Sequence, residues 1–170
     1  MAVKKKPSKK PPAKGKAPRP VTRPAAKARK VKPIPPGFRS VTSYLFVPAA
    51  AHLIEYLRAA FDADVISRHL DGDGRLSYGL VKIGDSLVMV SEPREPWKPM
   101  PCGIYLYVPD TDATYRNAMA AGGISLMEPS DQFYGDRNAG VQDPSGNQWW
   151  IATHIEDVSP KELERRMRSM

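Results

Sequence analysis

Three histidines, one cysteine and a scatter of aromatic rings are the side chains from which this 170-residue sequence can build a chemical site. His154 follows a strand-like run and precedes Glu156-Asp157, so it suits acid–base work, a ligand contact, or a hydrogen bond tying down the next helix. Tyr78 and Arg137 are the other candidates for metal-free acid–base chemistry, while His69 and Glu92 join His154 as candidate ligands at unfamiliar positions. His52 falls on a helical pattern beside Glu55 and is read as facing solvent. Asp71-Gly72-Asp73-Gly74 looks like the start of a calcium loop, but Arg75 takes the next oxygen-ligand position and Lys82 the closing acidic one. It is a hairpin turn. Cys102 stands alone, which excludes an intrachain disulfide and a cysteine-cluster metal site and fits a reducing, cytoplasmic setting.

The elements that must position these groups come as a repeat. Tyr44-Leu45-Phe46-Val47-Pro48 returns as Tyr105-Leu106-Tyr107-Val108-Pro109, and the same offset aligns Ala59-Ala60 with Ala120-Ala121. Each copy opens with a strand of aromatic and β-branched residues, then proline, then a helix. Leu53, Leu57 and Phe61 form the apolar stripe of the first helix; Asp110 caps the second and Gly122-Gly123 ends it. Strands are expected at Val65 to Leu70, Leu76 to Ile83 and Ser86 to Val90 in the first copy. The second gives Ser125 to Met127, a longer loop, Ala139 to Gln142, the turn Asp143-Pro144-Ser145-Gly146-Asn147, and Gln148 to Thr153. Each copy therefore reads β-α-β-β-β. Ser159, Pro160 and Glu162 then open a last helix over residues 159–170.

Two tandem modules of this kind, residues 38–92 and 103–158, resemble the vicinal oxygen chelate superfamily of glyoxalase I, extradiol dioxygenases and bleomycin-resistance proteins. Asp131-Gln132-Phe133-Tyr134-Gly135-Asp136-Arg137, Asp143-Pro144-Ser145-Gly146, the Trp149-Trp150 pair, Ala152-Thr153-His154 and Glu156-Asp157-Val158 are similar to its PhnB-like branch. Tyr134 stands where that branch often has Trp, and Asn147 where it often has His. The resemblance implies an α+β fold in which curved mixed sheets enclose a cleft and helices pack outside. It also implies four metal-ligand positions, falling here on Thr42, Val88, Gly103 and Trp150. None is His, Asp or Glu, and a one-residue shift of register reaches no imidazole or carboxylate. Divalent metals generally need three or four such ligands, so no metal and no other cofactor is expected.

Alternation along the strands turns Leu45, Val47, Leu106 and Val108 toward the helices and Tyr44, Phe46, Tyr105 and Tyr107 toward the cleft. Trp150 joins them, with Trp97, Phe133 and Tyr134 on loops able to close the cleft and Arg137 as a nearby cation. Such a surface suits a planar or amphipathic organic ligand. The leading expectation is thus a metal-free protein that binds a small organic molecule. Its rivals are a lyase- or dioxygenase-type enzyme with non-standard or no metal, and a nucleic-acid-associated protein acting through its tail. Proteins of this architecture are often homodimers, which is expected here too.

That tail is residues 1–37, which hold 13 of the 26 basic side chains, none of the 18 acidic ones and nine of the 18 prolines. It buries too little apolar surface to offset its ordering entropy and reads as disordered, with weak, nonspecific nucleic-acid contact as a consequence of its charge. The remaining body is net acidic, which argues against a nucleic-acid surface there. No run of 18 or more apolar residues occurs, so no membrane-spanning helix is expected, and no apolar segment follows the early positive charge as a secretory signal requires.

Overall fold

In the computed structural model, which describes residues 31–169, the strand alternation read from sequence decides which side of each sheet is covered. Strand β1 (Ser43–Phe46) buries Leu45 and leaves Ser43 and Tyr44 exposed. Helix α1 (Ala50–Phe61) lays Leu53, Ile54, Leu57 and Phe61 on the side where Leu45 points. Strands β2 (Asp64–Leu70), β3 (Leu76–Ile83) and β4 (Ser86–Ser91) complete a sheet in the order β1-β4-β3-β2, with β1 parallel to β4 and the other pairs antiparallel.

The second module repeats the plan. Strand β5 (Gly103–Tyr107), helix α2 (Thr111–Ala120) and strands β6 (Ile124–Asp131), β7 (Asp136–Gln142) and β8 (Gln148–His154) give the order β5-β8-β7-β6, again with the outermost first strand parallel to the last. The chain is therefore the expected α+β fold of tandem βαβββ modules. Asp110 caps α2 by accepting from the Ala113 amide, and Ser159 caps α3 (Pro160–Met167) through the Glu162 amide, both as the residue types require.

The modules meet through their helices. The core joins Leu45, Val47 and the apolar stripe of α1 to Ala118 of α2 and to Val141, Trp149 and Ile151 of the second sheet, with the Phe61 and Trp149 rings 4.7 Å apart. The opposite faces of the two sheets carry Tyr44 and Phe46 on one and Tyr105 and Tyr107 on the other, and all but Phe46 of these are exposed.

Two strands run longer than the sequence suggests. Strand β6 continues through Pro129 to Asp131, where a loop is expected; β6 is an edge strand, and its pairing with β7 breaks between Met127 and Ser130, which accommodates a residue lacking an amide hydrogen. Strand β7 starts at Asp136 rather than Ala139. The disordered arm expected over residues 1–37 falls mostly on residues 1–30, which lie outside the described residues.

The Asp143 turn is a structural device. Asp143, 2 % exposed, accepts from the Ser145 and Asn147 amides, from Asn147 Nδ2 at 2.8 Å and from Trp149 Nε1 at 2.9 Å. One buried carboxylate thus fixes the β7–β8 turn and aims the Trp149 indole into the core between the modules.

Candidate functional site

The pairing β5-β8-β7-β6 sets the chemistry of the second sheet's open face. Gly103, Tyr105 and Tyr107 share that face with Gln148, Trp150, Ala152 and His154 on β8 and with Gln142, Gly140, Asn138 and Asp136 on β7. Both phenols on β5 reach across β8 to β7: Tyr105 and Tyr107 each donate to Asp136 Oδ2 at 3.0 Å. Ala152, the β8 residue beside Tyr107, has too short a side chain to obstruct them. The other carboxylate oxygen, Asp136 Oδ1, lies 2.9 Å from His154 Nδ1, its cross-strand partner. His154 Nε2 lies 3.0 Å from Asp157 Oδ1. The Tyr134 hydroxyl approaches that of Tyr105 at 3.5 Å.

Asp136 is only 3 % exposed, and this decides the electrostatics. Burial pushes its carboxyl up, but hydrogen bonds from His154, Tyr107 and Tyr105 outweigh it and hold Asp136 below the ordinary carboxylate range. The hydrogen bonds to Asp157 and Asp136 raise His154, and with a carboxylate at each ring nitrogen the imidazolium satisfies both. Burial and the hydrogen bonds to Tyr134 and Asp136 push the Tyr105 phenol far above its usual value; the bond to Asp136 raises Tyr107 too. Both phenols therefore stay protonated and act as fixed donors to Asp136, leaving their oxygen lone pairs and ring faces for a ligand. The two rings stand 5.2 Å apart at 55°.

Other expected site residues distribute differently. Trp150 lies on the same face next to Tyr105, stacked over Gly140, where an added Cβ would come within 2.9 Å of the indole. Phe133 and Tyr134 form the β6–β7 turn with rings edge to face at 5.2 Å, and Arg166 of α3 donates to the Phe133 carbonyl at 3.1 Å. Tyr44 and Phe46, 4.2 Å apart, share the first sheet's open face with Met89 and Tyr78, and the Tyr78 ring lies 6.1 Å from His69. The structure does not bring Tyr78 to His154. Glu92 is held by Arg75 at 2.8 Å, close to the Asp71 turn where its amide donates to the Leu76 carbonyl.

Arg137 is not the cation of this face. It is one residue from Asp136 and so points to the other side of β7, where it pairs with Asp112 of α2 and, at 2.8 Å, with Asp131 of β6. The alternation rule that assigns Tyr105 inward assigns Arg137 outward. Asp136, missed by the sequence reading, has the complementary parity, and that parity within Gly135-Asp136-Arg137 is the signal that finds it.

The donor set at the superfamily's metal positions does not fit a divalent ion. Thr42, Gly103 and Trp150 offer a hydroxyl, a hydrogen and an indole; Val88 pairs with Ser43 and is buried on the helix side, so Met89, not Val88, lies on the Tyr44 face. Among the described residues no group of three or more His, Cys, Asp or Glu is arranged to hold a metal.

Comparison with known proteins agrees with this architecture. An uncharacterized Mycobacterium bovis protein, Mb0911c, is 29 % identical over 145 residues, covering 76 % of this chain and 93 % of that one. Among solved structures, TioX from Micromonospora sp. ML1 superposes with a TM-score of 0.57 at 20 % identity, covering 68 % of this chain and 99 % of its own. TnmS3, an antibiotic-binding protein from Streptomyces sp. CB03234, gives 0.55 at 18 % identity, covering 68 % and 97 %. The model of the Glyoxalase/Bleomycin resistance protein/Dioxygenase superfamily matches residues 38–151, and this chain belongs to that superfamily.

Proposed function

We propose that this chain binds a small organic molecule without metal, on the aromatic face built by Tyr105, Tyr107, Tyr134 and Trp150 over Asp136 and His154. The observation that carries this reading is the hydrogen-bonded set Tyr105/Tyr107–Asp136–His154. Its phenols are fixed as donors and shifted away from proton transfer, which suits recognition better than turnover. A cavity of about 480 Å³, bordered by Phe61, Asp85, Tyr105, Tyr107 and Asn117, provides volume beside it. The antibiotic binding of TnmS3 supports the same reading by analogy of fold.

A second copy of the chain completes the cleft. Val108 donates to Ala152 and Gln148 donates to Cys102, so the backbone groups of Gly103, Tyr105 and Tyr107 point away from β8 along the free edge of the sheet. That edge and the two open aromatic faces support a homodimer. Native mass spectrometry of protein from its own host tests all three parts at once, through metal content, copurified ligand and oligomeric state. Stoichiometric metal together with glyoxalase or ring-cleavage turnover overturns the proposal.

The exposed His154, hydrogen-bonded to buried Asp136, favours metal-free acid–base catalysis as the second reading. A pH–rate profile abolished in His154→Ala decides for it.

A further inference from the structure

The charge on the open face of the second sheet points to the class of ligand. Strands β5 to β8 contain a single Lys or Arg, Arg137, and it lies on the opposite face in ion pairs with Asp112 and Asp131. Asp136 and Asp157 flank His154, so the trio remains net negative even with the imidazole protonated. Arg166, the α3 cation that reaches the Phe133 carbonyl, is paired with Glu156 and Glu162.

Around this anionic centre stand three phenol rings. Tyr105 and Tyr107 donate their hydroxyl protons inward to Asp136, and Tyr134 adjoins Tyr105. The outward groups are therefore ring faces and oxygen lone pairs, both of which attract positive charge. Tyr107 is 63 % and Tyr105 46 % exposed, so their rings are open to a ligand. Among the described residues an anionic ligand would meet no free cation on this face, and a neutral aromatic one would draw nothing from the net negative charge of the trio.

We infer that the Tyr105–Tyr107–Tyr134 face binds an organic cation, an alkylammonium or comparable charged nitrogen seated among the three phenols with Asp136 behind them. This assignment rests on the small-molecule reading above and narrows it. The rings exclude water from one side of the cation, and the carboxylate supplies the charge that hydration otherwise would.

The test uses choline and 3,3-dimethylbutan-1-ol, two probes of nearly equal shape that differ in charge, titrated into full-length protein carrying labelled tyrosines while ring resonances are followed by NMR. Choline is expected to shift Tyr105 and Tyr107 and to bind about tenfold or more tighter than the alcohol. Tyr107→Leu, at an exposed ring whose loss leaves the core intact, and Asp136→Asn are each expected to remove most of that preference. Asp73→Asn, an exposed carboxylate in the turn between β2 and β3, is expected to leave it unchanged. Equal affinity for the two probes overturns the cation assignment and leaves the small-molecule reading standing. If choline, the alcohol and the planar probe 2-naphthol all leave Tyr105 and Tyr107 unmoved, both fall.

Discussion

Gly135 packs against the backbone of Glu156 so closely that a Cβ on Gly135 would collide with the Glu156 carbonyl oxygen. The Gly135 carbonyl accepts from the Ile155 and Glu156 amides at 2.9 and 3.0 Å, and its φ is +97°. This contact fixes the residue before Asp136 against the residues after His154, and so sets the distance between the two. Gly135→Ala meets both the collision and the left-handed backbone, and is expected to destabilise the fold by about 2–4 kcal/mol. Urea denaturation measures it, and a loss under about 0.5 kcal/mol would show that the turn is not fixed in this way.

Asp143→Ala removes one buried acceptor from two backbone amides, Asn147 Nδ2 and the Trp149 indole. Several donors are left buried and unpaired, so a cost of about 3–5 kcal/mol is expected, with a red shift of Trp149 fluorescence as the indole loses its anchor. An unshifted spectrum at wild-type stability contradicts the anchoring role.

Tyr56 offers a gain in stability. Its hydroxyl is buried with no hydrogen-bond partner among the described residues, close to Gly123, and burial raises the phenol pKa with help from the Asp143 charge. Tyr56→Phe keeps the ring packing of α1, including its edge contact with Phe61, and removes the unpaired group. Stability is expected to rise by about 1 kcal/mol, and a fall in melting temperature would reveal a partner for the hydroxyl.

The His154 titration carries a sign. Its folded-state pKa is raised, first by the hydrogen bond to Asp157 and then by that to Asp136, so its stabilisation is complete below the unfolded value near 6.5 and is lost as pH rises through the folded value. Asp136 is shifted down, so its contribution is present above the ordinary carboxylate pKa and is lost as pH falls through the folded one. The pair is therefore most favourable in mildly acidic solution between those limits. Imidazole nitrogen shifts report His154 directly, and Asp157→Asn is expected to lower its pKa. An unchanged value would place the cause elsewhere.

How far the sequence spoke for itself depends on the range of the interaction. Local rules sufficed for the β-α-β-β-β repeat, for the Asp110 and Ser159 caps, and for the opposed faces of Leu45 and Tyr44 and of Leu106 and Tyr105. They were not enough for Asp136. Its role needs β5 to lie two strands away from β7 with β8 between, a pairing no local pattern encodes. Val88, a ligand position by the resemblance, turns to the helix face because the parallel register of β1 with β4 pairs it with Ser43, a parity no local pattern encodes. The local pattern gives a strand only from Ser125 to Met127, while an irregular edge strand carries on through Pro129 to Asp131.

Arg137 separates a binding role from a structural one. Its guanidinium links Asp112 at the start of α2 to Asp131 at the end of β6, with its own pKa raised by those two hydrogen bonds. If it served the ligand, removing it would weaken binding at unchanged stability. Because it faces away from Tyr105 and Tyr107, Arg137→Ala is instead expected to lower the melting temperature and leave the affinity of the choline probe within about twofold of wild type. Calorimetry and the same NMR titration read the two quantities on one sample. A selective loss of affinity would return Arg137 to the site, and with it an anionic ligand in place of the cation.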